Sequence, residues 1–231
     1  MANTITDPEF GTVAIRRVRK ARYVKLKIDH RGAISISMPY RAPLFFAKNL
    51  LGESREHIRQ NLASLRQNQI VLMPGDIIGK THRLELTTGE AFAARVKSTA
   101  LLVTVPEHAS VESPEVQQYI KEASTKALRI QAKAYLPRRL EAFSDAHGFS
   151  FAQIRFSNAG TRWGSCSSRG TISLNIWLMH LPFELIDYVL VHELCHTKQM
   201  NHSQRFWQLV EGILPNYRDL RRALKEQRPY A

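Results

Sequence analysis

Tyr188-Val-Leu-Val-His-Glu-Leu-Cys-His-Thr-Lys-Gln-Met-Asn-His202 is the stretch on which the reading of this chain turns. Its β-branched Val189 and Val191 would suit a strand, so spacing has to decide. On a helix, His192 and His196 stand about one turn apart, roughly 6 Å, on one face and within reach of one ion. On a strand the same separation is about 13 Å, too far for both to hold it. Pro182 suits a first helical turn, Glu184 and Asp187 lie near that turn, and apolar residues fill positions 185–194 with little interruption. The pattern predicts a buried helix over about residues 181–199.

Two imidazoles so placed, with a glutamate directly after the first, form the His-Glu-x-x-His signature of zinc hydrolases. His192 and His196 hold the ion, and Glu193 takes a proton from a water that attacks a carbonyl. A catalytic zinc site also needs a third protein ligand, and His202 is the candidate. For His202 to swing back, the helix must end near Met200, with Asn201 in the left-handed conformation that closes helices. The histidine spacing matches the longer metzincin pattern, but Gln199 stands at its glycine position, so the turn must be built differently. With nine histidines in the chain, chance supplies a bare His-Glu-x-x-His on the order of a few per cent of the time. A third histidine on the same segment, beside a buried glutamate, is hard to explain without a cation. Cys195 reads as a small packing residue of that helix.

Composition sets the outer limits. At 231 residues and 44% hydrophobic content the chain is long enough for one large domain or two modest ones with a proper core. Cys166 and Cys195 are its two cysteines, far apart and in no paired motif, which suits reduced thiols in the cytoplasm. No apolar run reaches the length of a membrane span and no secretion signal opens the chain, so a cytoplasmic protein without a membrane partner is expected. The net charge of +13 suits a polyanion such as DNA, and equally a soluble basic protein.

Taken in order, residues 1–11 are polar and read as a loose tail. Residues 13–18 and 22–29 alternate as strands, Asp29-His30-Arg31-Gly32 reads as a turn, and Ile34, Ile36 and Met38 resume the alternation. That predicts a hairpin or meander with Arg16, Arg17, Arg19, Lys20, Arg22, Lys25 and Lys27 on its exposed face. Residues 43–68 are helical, with Gly52 as a break. Met73-Pro74-Gly75-Asp76 is a turn, residues 77–86, 91–97 and 101–105 are short strands, and Thr88-Gly89 is another turn. Ser113 and Pro114 open a long helix that Pro137 should kink or divide and that Gly148 closes. The boundary between domains is expected near Glu112, giving units 1–112 and 113–231.

Residues 149–157 and 171–177 read as strands around an irregular loop that carries Arg162 and Trp163. Arg162, Tyr217 and His180 are candidate donors to a transition-state oxyanion, and Asn175 a candidate substrate contact. Arg162 serves equally well as a structural ion pair or stacked on Trp163. After the histidine helix, Ser203 caps a helix with an apolar stripe of Phe206, Trp207 and Val210 that should pack under the site. A last helix over residues 217–227 points Arg218, Arg221, Arg222, Lys225 and Arg228 outward.

Arg162-Trp-Gly-Ser-Cys166, Leu174-Asn175, Val191-His-Glu-Leu-Cys-His196 and Asn201-His-Ser203 with Phe206-Trp207 together resemble the YgjP-like metallopeptidase family. That group is related to SprT-like proteases. The resemblance spans about residues 19–226 and is strongest after Tyr135. A third histidine followed four residues on by an aromatic recurs in SprT-like and WLM-type proteases of protein–DNA crosslinks. The resemblance implies an α+β chain: a β-rich N-terminal unit with one helix, then a small zincin-like catalytic domain. Zinc would be held by His192, His196 and His202, with Glu193 as the base. It also implies an edge strand beside the active helix that receives a peptide as an added strand, a role expected of residues 171–177.

The leading expectation is a zinc endopeptidase acting on protein or peptide substrates. A nucleic-acid-associated protein whose zinc-containing module turns over little is the alternative, and hydrolysis of a non-peptide amide also fits the spacing.

Overall fold

The computed structural model describes residues 3–29, 32–67, 71–227 and 229. The chain is of mixed α+β composition and divides into two compact units between residues 70 and 71.

In the first unit β1 (Asn3–Asp7), β2 (Gly11–Val18), β3 (Lys25–Ile28) and β4 (Ile34–Pro39) form one sheet in the order β1-β2-β4-β3. The expected loose tail is thus a strand, because Asn3 to Asp7 pair antiparallel with Gly11 to Ile15, and Asp7 Oδ1 ties the intervening turn by accepting from the N–H groups of Glu9 and Phe10. β3 and β4 make the expected antiparallel hairpin, whereas β2 runs parallel to β4. Alternation places Val13, Ile15, Ile34, Ile36 and Met38 on one face, where Ala47 and Leu51 of α1 (Leu44–Glu53) and Ile58 of α2 (Arg55–Gln67) cover them. The helical segment is broken at Ser54 rather than at Gly52. Asn68, expected at its end, and the His30-Arg31 tip of the turn lie outside the described residues.

The second unit repeats the same sheet order: β5 (Ile77–Ile78), β6 (His82–Gly89), β7 (Ala93–Lys97) and β8 (Ala100–Pro106) are arranged β5-β6-β8-β7, again with its central pair parallel. Thr88 and Gly89 belong to β6 and form no turn. α3 (Pro114–His147) begins with Ser113 accepting from Val116 N and ends at Gly148, whose φ of 61° needs a residue without Cβ strain. Pro137 lies inside α3 and does not divide it.

The boundary expected near Glu112 falls inside this unit. Ile78, Leu84, Leu101 and Val103 share one buried core with Val116, Ile120 and Leu128 of α3 and with the histidine helix, so the chain cannot be parted there without opening that core. A second sheet, β10-β11-β9, comprises β9 (Gln153–Ser157), β10 (Gly164–Cys166) and β11 (Thr171–Asn175). The strand expected over 171–177 stops at Asn175, and Ile176 to His180 form a 3-10 helix. Three helices follow: α4 (Phe183–Lys198), α5 (Gln204–Ile213) and α6 (Tyr217–Glu226). Arg228, expected on the outward face of the last helix, lies outside the described residues. Among the described residues no helix is long and apolar enough to cross a membrane.

Candidate metal centre

α4 is enclosed on nearly every side, since Leu185, Ile186, Tyr188 to Val191 and Leu194 are all buried. Its neighbours are α3, β10, α5 and α6. On the α3 side, Arg139 donates to both oxygens of Asp187 at 2.8 and 2.6 Å, a two-pronged pair that fixes the rotation of the helix. With that rotation set, His192 and His196 both face α5, where their rings meet Phe206.

The helix ends at Lys198, earlier than expected, and by a different device. Gln199 is extended, with φ −140° and ψ 100°. Asn201 does not adopt a positive φ, Ser98 being the one non-glycine residue that does among those described. The extended Gln199 turns the chain so that His202 returns to the helix. It also aims its carbonyl at His196 Nδ1, 3.0 Å away. A carbonyl only accepts, so Nδ1 carries the proton and Nε2 of His196 keeps a free lone pair.

His192, His196 and His202 each bring one ring nitrogen to within 4.8 Å of the other two. His192 Nε2 and His202 Nε2 are 3.0 Å apart. Burial first, then His196 and His202, push the His192 pKa down to about 3, and burial lowers that of His202. Both rings are thereby held toward the neutral form, in which each has one ring nitrogen with a free lone pair; in the tautomers that turn those lone pairs inward, the two Nε2 atoms stand where one cation can bridge them. Nitrogens on a tetrahedral zinc, bonded at roughly 2.0–2.1 Å, lie about 3.3 Å from each other, and three neutral imidazoles suit that ion. The buried Nδ1 of His192 has no hydrogen-bond partner among the described residues.

An aromatic wall supports the third histidine. Phe206 packs against all three rings, with centroids 4.9, 4.5 and 4.8 Å from His192, His196 and His202. Trp207 stacks on His202 at 5.5 Å and 28°, Tyr217 stacks on Trp207 at 5.4 Å and 15°, and the Arg221 guanidinium lies 4.5 Å over the Trp207 ring. The apolar stripe of α5 does pack under the cluster, as its periodicity predicts. The long-range partners Tyr217 and Arg221 leave no such mark in sequence.

Glu193 is 5% exposed, and its Oε2 has no hydrogen-bond partner among the described residues. Burial raises its pKa to about 8, against a smaller downward pull from Arg162. β10 lies directly alongside: a Cβ on Gly164 would meet Glu193 Oε1 at 2.6 Å, so only glycine admits the carboxylate there. Cys166, two residues on, is half-buried, its thiol pKa raised by burial and by Glu193.

The remaining candidates are scattered in role. Arg162 is exposed and near enough to act on Glu193. Asn175 is fully buried; its Nδ2 donates to the carbonyls of Ala159 and Arg162, and its Oδ1 accepts from Trp177 N. Both amide hydrogens are committed, so this side chain shapes the loop that carries Arg162. Tyr217 is buried in the Trp207 stack, and His180 stacks on Trp177.

A family model described as YgjP-like, metallopeptidase domain, matches residues 22–227. Among solved structures, the metallopeptidase zymogen of Pyrococcus abyssi abylysin is 28% identical over 39% of this chain and 92% of its own, with a TM-score of 0.36. No curated protein matches the chain significantly.

Proposed function

The chain belongs to the YgjP-like metallopeptidase family, and from that membership we propose that it is a zinc-dependent endopeptidase whose ion is held by His192, His196 and His202. The observation that carries the reading is the meeting of three imidazoles, each with one ring nitrogen within 4.8 Å of the others, with a buried, unpartnered carboxyl oxygen one residue from the first of them. When bound, zinc supplies a Lewis acid that polarises a peptide carbonyl and brings the pKa of a water to about 7.

The chain's own part is proton handling and alignment. Burial, against the opposing pull of Arg162, sets the Glu193 pKa at about 8, so its carboxyl can both take up and release a proton near neutral pH. Glu193 therefore accepts the proton of the attacking water on a carboxylate oxygen and returns it to the departing amide nitrogen. Gly164 lets that carboxylate lie against β10. The substrate strand is assigned to β10: β11, expected at the edge, has β9 and β10 on its two sides, while β10 ends the sheet beside α4. An extended peptide added along residues 164–166 would carry its scissile bond past Glu193. Free thiols at Cys166 and Cys195 suit a cytoplasmic setting.

Glu193→Gln is the test. The substituted protein should retain the zinc content of the wild type by mass spectrometry and lose casein cleavage by about 100-fold or more. Cleavage that persists in a zinc-loaded Glu193→Gln protein removes Glu193 as the base.

A second reading, association with nucleic acid and action on proteins bound to it, is favoured by α6, where Arg218, Arg221, Arg222 and Lys225 rim a concavity beside Tyr217. It requires salt-dependent DNA binding that survives Glu193→Gln.

A further inference from the structure

The N-terminal unit holds none of the residues of the histidine cluster, yet it gathers two kinds of side chain at one end of its sheet. Because β2 and β4 are parallel, with Arg17 opposite Met38 and Val18 opposite Pro39, their carboxyl ends leave the sheet side by side. β3 begins at the same end, Lys25 facing Ser37. Residues 19–24 and 40–46 therefore share that end, and Arg17 Nη1 secures the second stretch by donating to the carbonyls of Tyr40 and Ala42 at 2.7 and 2.8 Å.

Tyr23, Tyr40, Phe45 and Phe46 are 73, 58, 63 and 52% exposed there. Single exposed apolar side chains are ordinary, whereas four aromatic rings at one sheet end contribute nothing to this unit's core. Arg19, Lys20, Arg22 and Arg41 stand exposed among them. No acidic residue occurs within residues 12–28 or 34–52. Carboxylates of this unit collect at the opposite end, where Asp7 and Glu9 of the β1–β2 turn bind Arg55 and Arg59, and Asp29 closes the β3–β4 turn.

We propose that the aromatic and basic end of the N-terminal unit binds single-stranded nucleic acid, with unpaired bases stacked on Phe45, Phe46, Tyr23 and Tyr40 and phosphates held by Arg19, Lys20, Arg22 and Arg41. The aromatic character decides between polyanions. A ring offers its face to any base regardless of sequence, and a duplex keeps its bases inside the stack where these rings cannot reach them. A lipid surface is the weaker fit: beside Phe45 and Phe46 the exposed aliphatic contribution is Leu44, at 38%, and the tyrosine hydroxyls and interspersed cations break up the continuous apolar face that inserts among acyl chains. The inference rests on the nucleic-acid reading above for association alone and is independent of whether the histidine site cleaves anything.

The test uses the full-length protein and fluorescence anisotropy with a labelled oligothymidylate of about 20 nucleotides and a duplex of the same length, over a range of salt. The strand should bind at least about tenfold tighter than the duplex. Phe45→Ala with Phe46→Ala should weaken strand binding by about 30-fold and leave duplex binding unchanged. Arg19→Ala, Lys20→Ala and Arg22→Ala together should lower the slope of log affinity against log salt by about 2. All five positions are exposed, so unchanged thermal melting is required of each variant, and Arg22→Glu alone, in an exposed loop, repeats the test if the phenylalanine variant melts early.

Wild-type affinity in the phenylalanine variant, with binding lost instead in Arg218→Ala, Arg222→Ala and Lys225→Ala, overturns this placement while the nucleic-acid reading stands. Absence of binding to either oligonucleotide at low salt removes both. Binding to phosphatidylserine vesicles that the phenylalanine variant loses, without strand binding, assigns the surface to lipid and refutes the proposal.

Discussion

Gly164→Ala probes the candidate base at its narrowest clearance. The backbone at Gly164 is not in the left-handed region, so an alanine there is resisted by the neighbouring side chain alone. Its methyl carbon would stand 2.6, 2.7 and 2.9 Å from Oε1, Cγ and Cδ of Glu193, all below the 3.0 Å limit for real contacts. Three close atoms along one side chain cannot be relieved by rotating its tip. To regain an ordinary separation of 3.4 Å the carboxylate must shift by about 0.8 Å, within a site where Glu193 is only 5% exposed.

A misplacement on the order of 1 Å at a reacting group costs about 100-fold in rate, or ~2.7 kcal/mol of barrier. The three imidazoles do not touch Gly164 through this contact, so zinc content should be unchanged. The assay is kcat and KM on a quenched fluorogenic peptide, with zinc by mass spectrometry and melting by calorimetry. The expected result is kcat lowered about 100-fold at full zinc occupancy, and little further loss when the substitution is made in a Glu193→Gln background, since both act on one group. Activity within about twofold of wild type refutes the geometric argument. An equal fractional loss in the Glu193→Gln background would mean that the alanine acts on the added peptide strand instead.

Three further outcomes follow, two from the surroundings of the site and one from the N-terminal unit. Trp207→Leu removes the ring stacked on His202 and should weaken zinc affinity by about 10- to 100-fold in a chelator competition, with far-ultraviolet circular dichroism unchanged. Asp187→Asn breaks the paired contact with Arg139, whose partners are 17 and 41% exposed; that partial exposure limits the loss to about 1 kcal/mol, a fall in melting temperature of roughly 2–4 °C. In the N-terminal unit, Arg59 and then Arg55 hold the Glu9 carboxyl below its usual 4.5. A depressed carboxyl stabilises the fold above the unfolded value and loses that contribution as pH falls through the folded one, so amide exchange in β1 and β2 should accelerate below about pH 4.5, and less steeply in Arg59→Met.

How much of this was legible in the sequence depends on how far each feature reaches along the chain. The capped start of α3 at Ser113 and Pro114, its glycine end at Gly148 and the turn at Gly75 are set within a few residues, and the structure has each of them. Asn201 shows the limit of local rules. A left-handed asparagine is one common way to close a helix, but the extended Gln199 does it here because its carbonyl is engaged by His196. Polar residues 3–7 carry too little hydrophobic alternation to announce a strand; the edge of β2 supplies the pairing that makes them one.

By itself the sequence determined the chemistry on offer. Two histidines four apart in an apolar run, a glutamate between them and a third histidine six residues on specify a helix that presents imidazoles on one face, because the 3.6-residue period is local and needs no partner. Tertiary structure alone decided what surrounds that chemistry. It placed β10 rather than β11 at the sheet edge, set Gly164 against Glu193, joined β5 to β8 with α3 in one core, and stacked Tyr217 and Trp207 behind His202. Each of these depends on which strand or helix is left to pair with which. That choice is made by burial and hydrogen bonding summed over residues distant in the chain, and no spacing within a single segment records it.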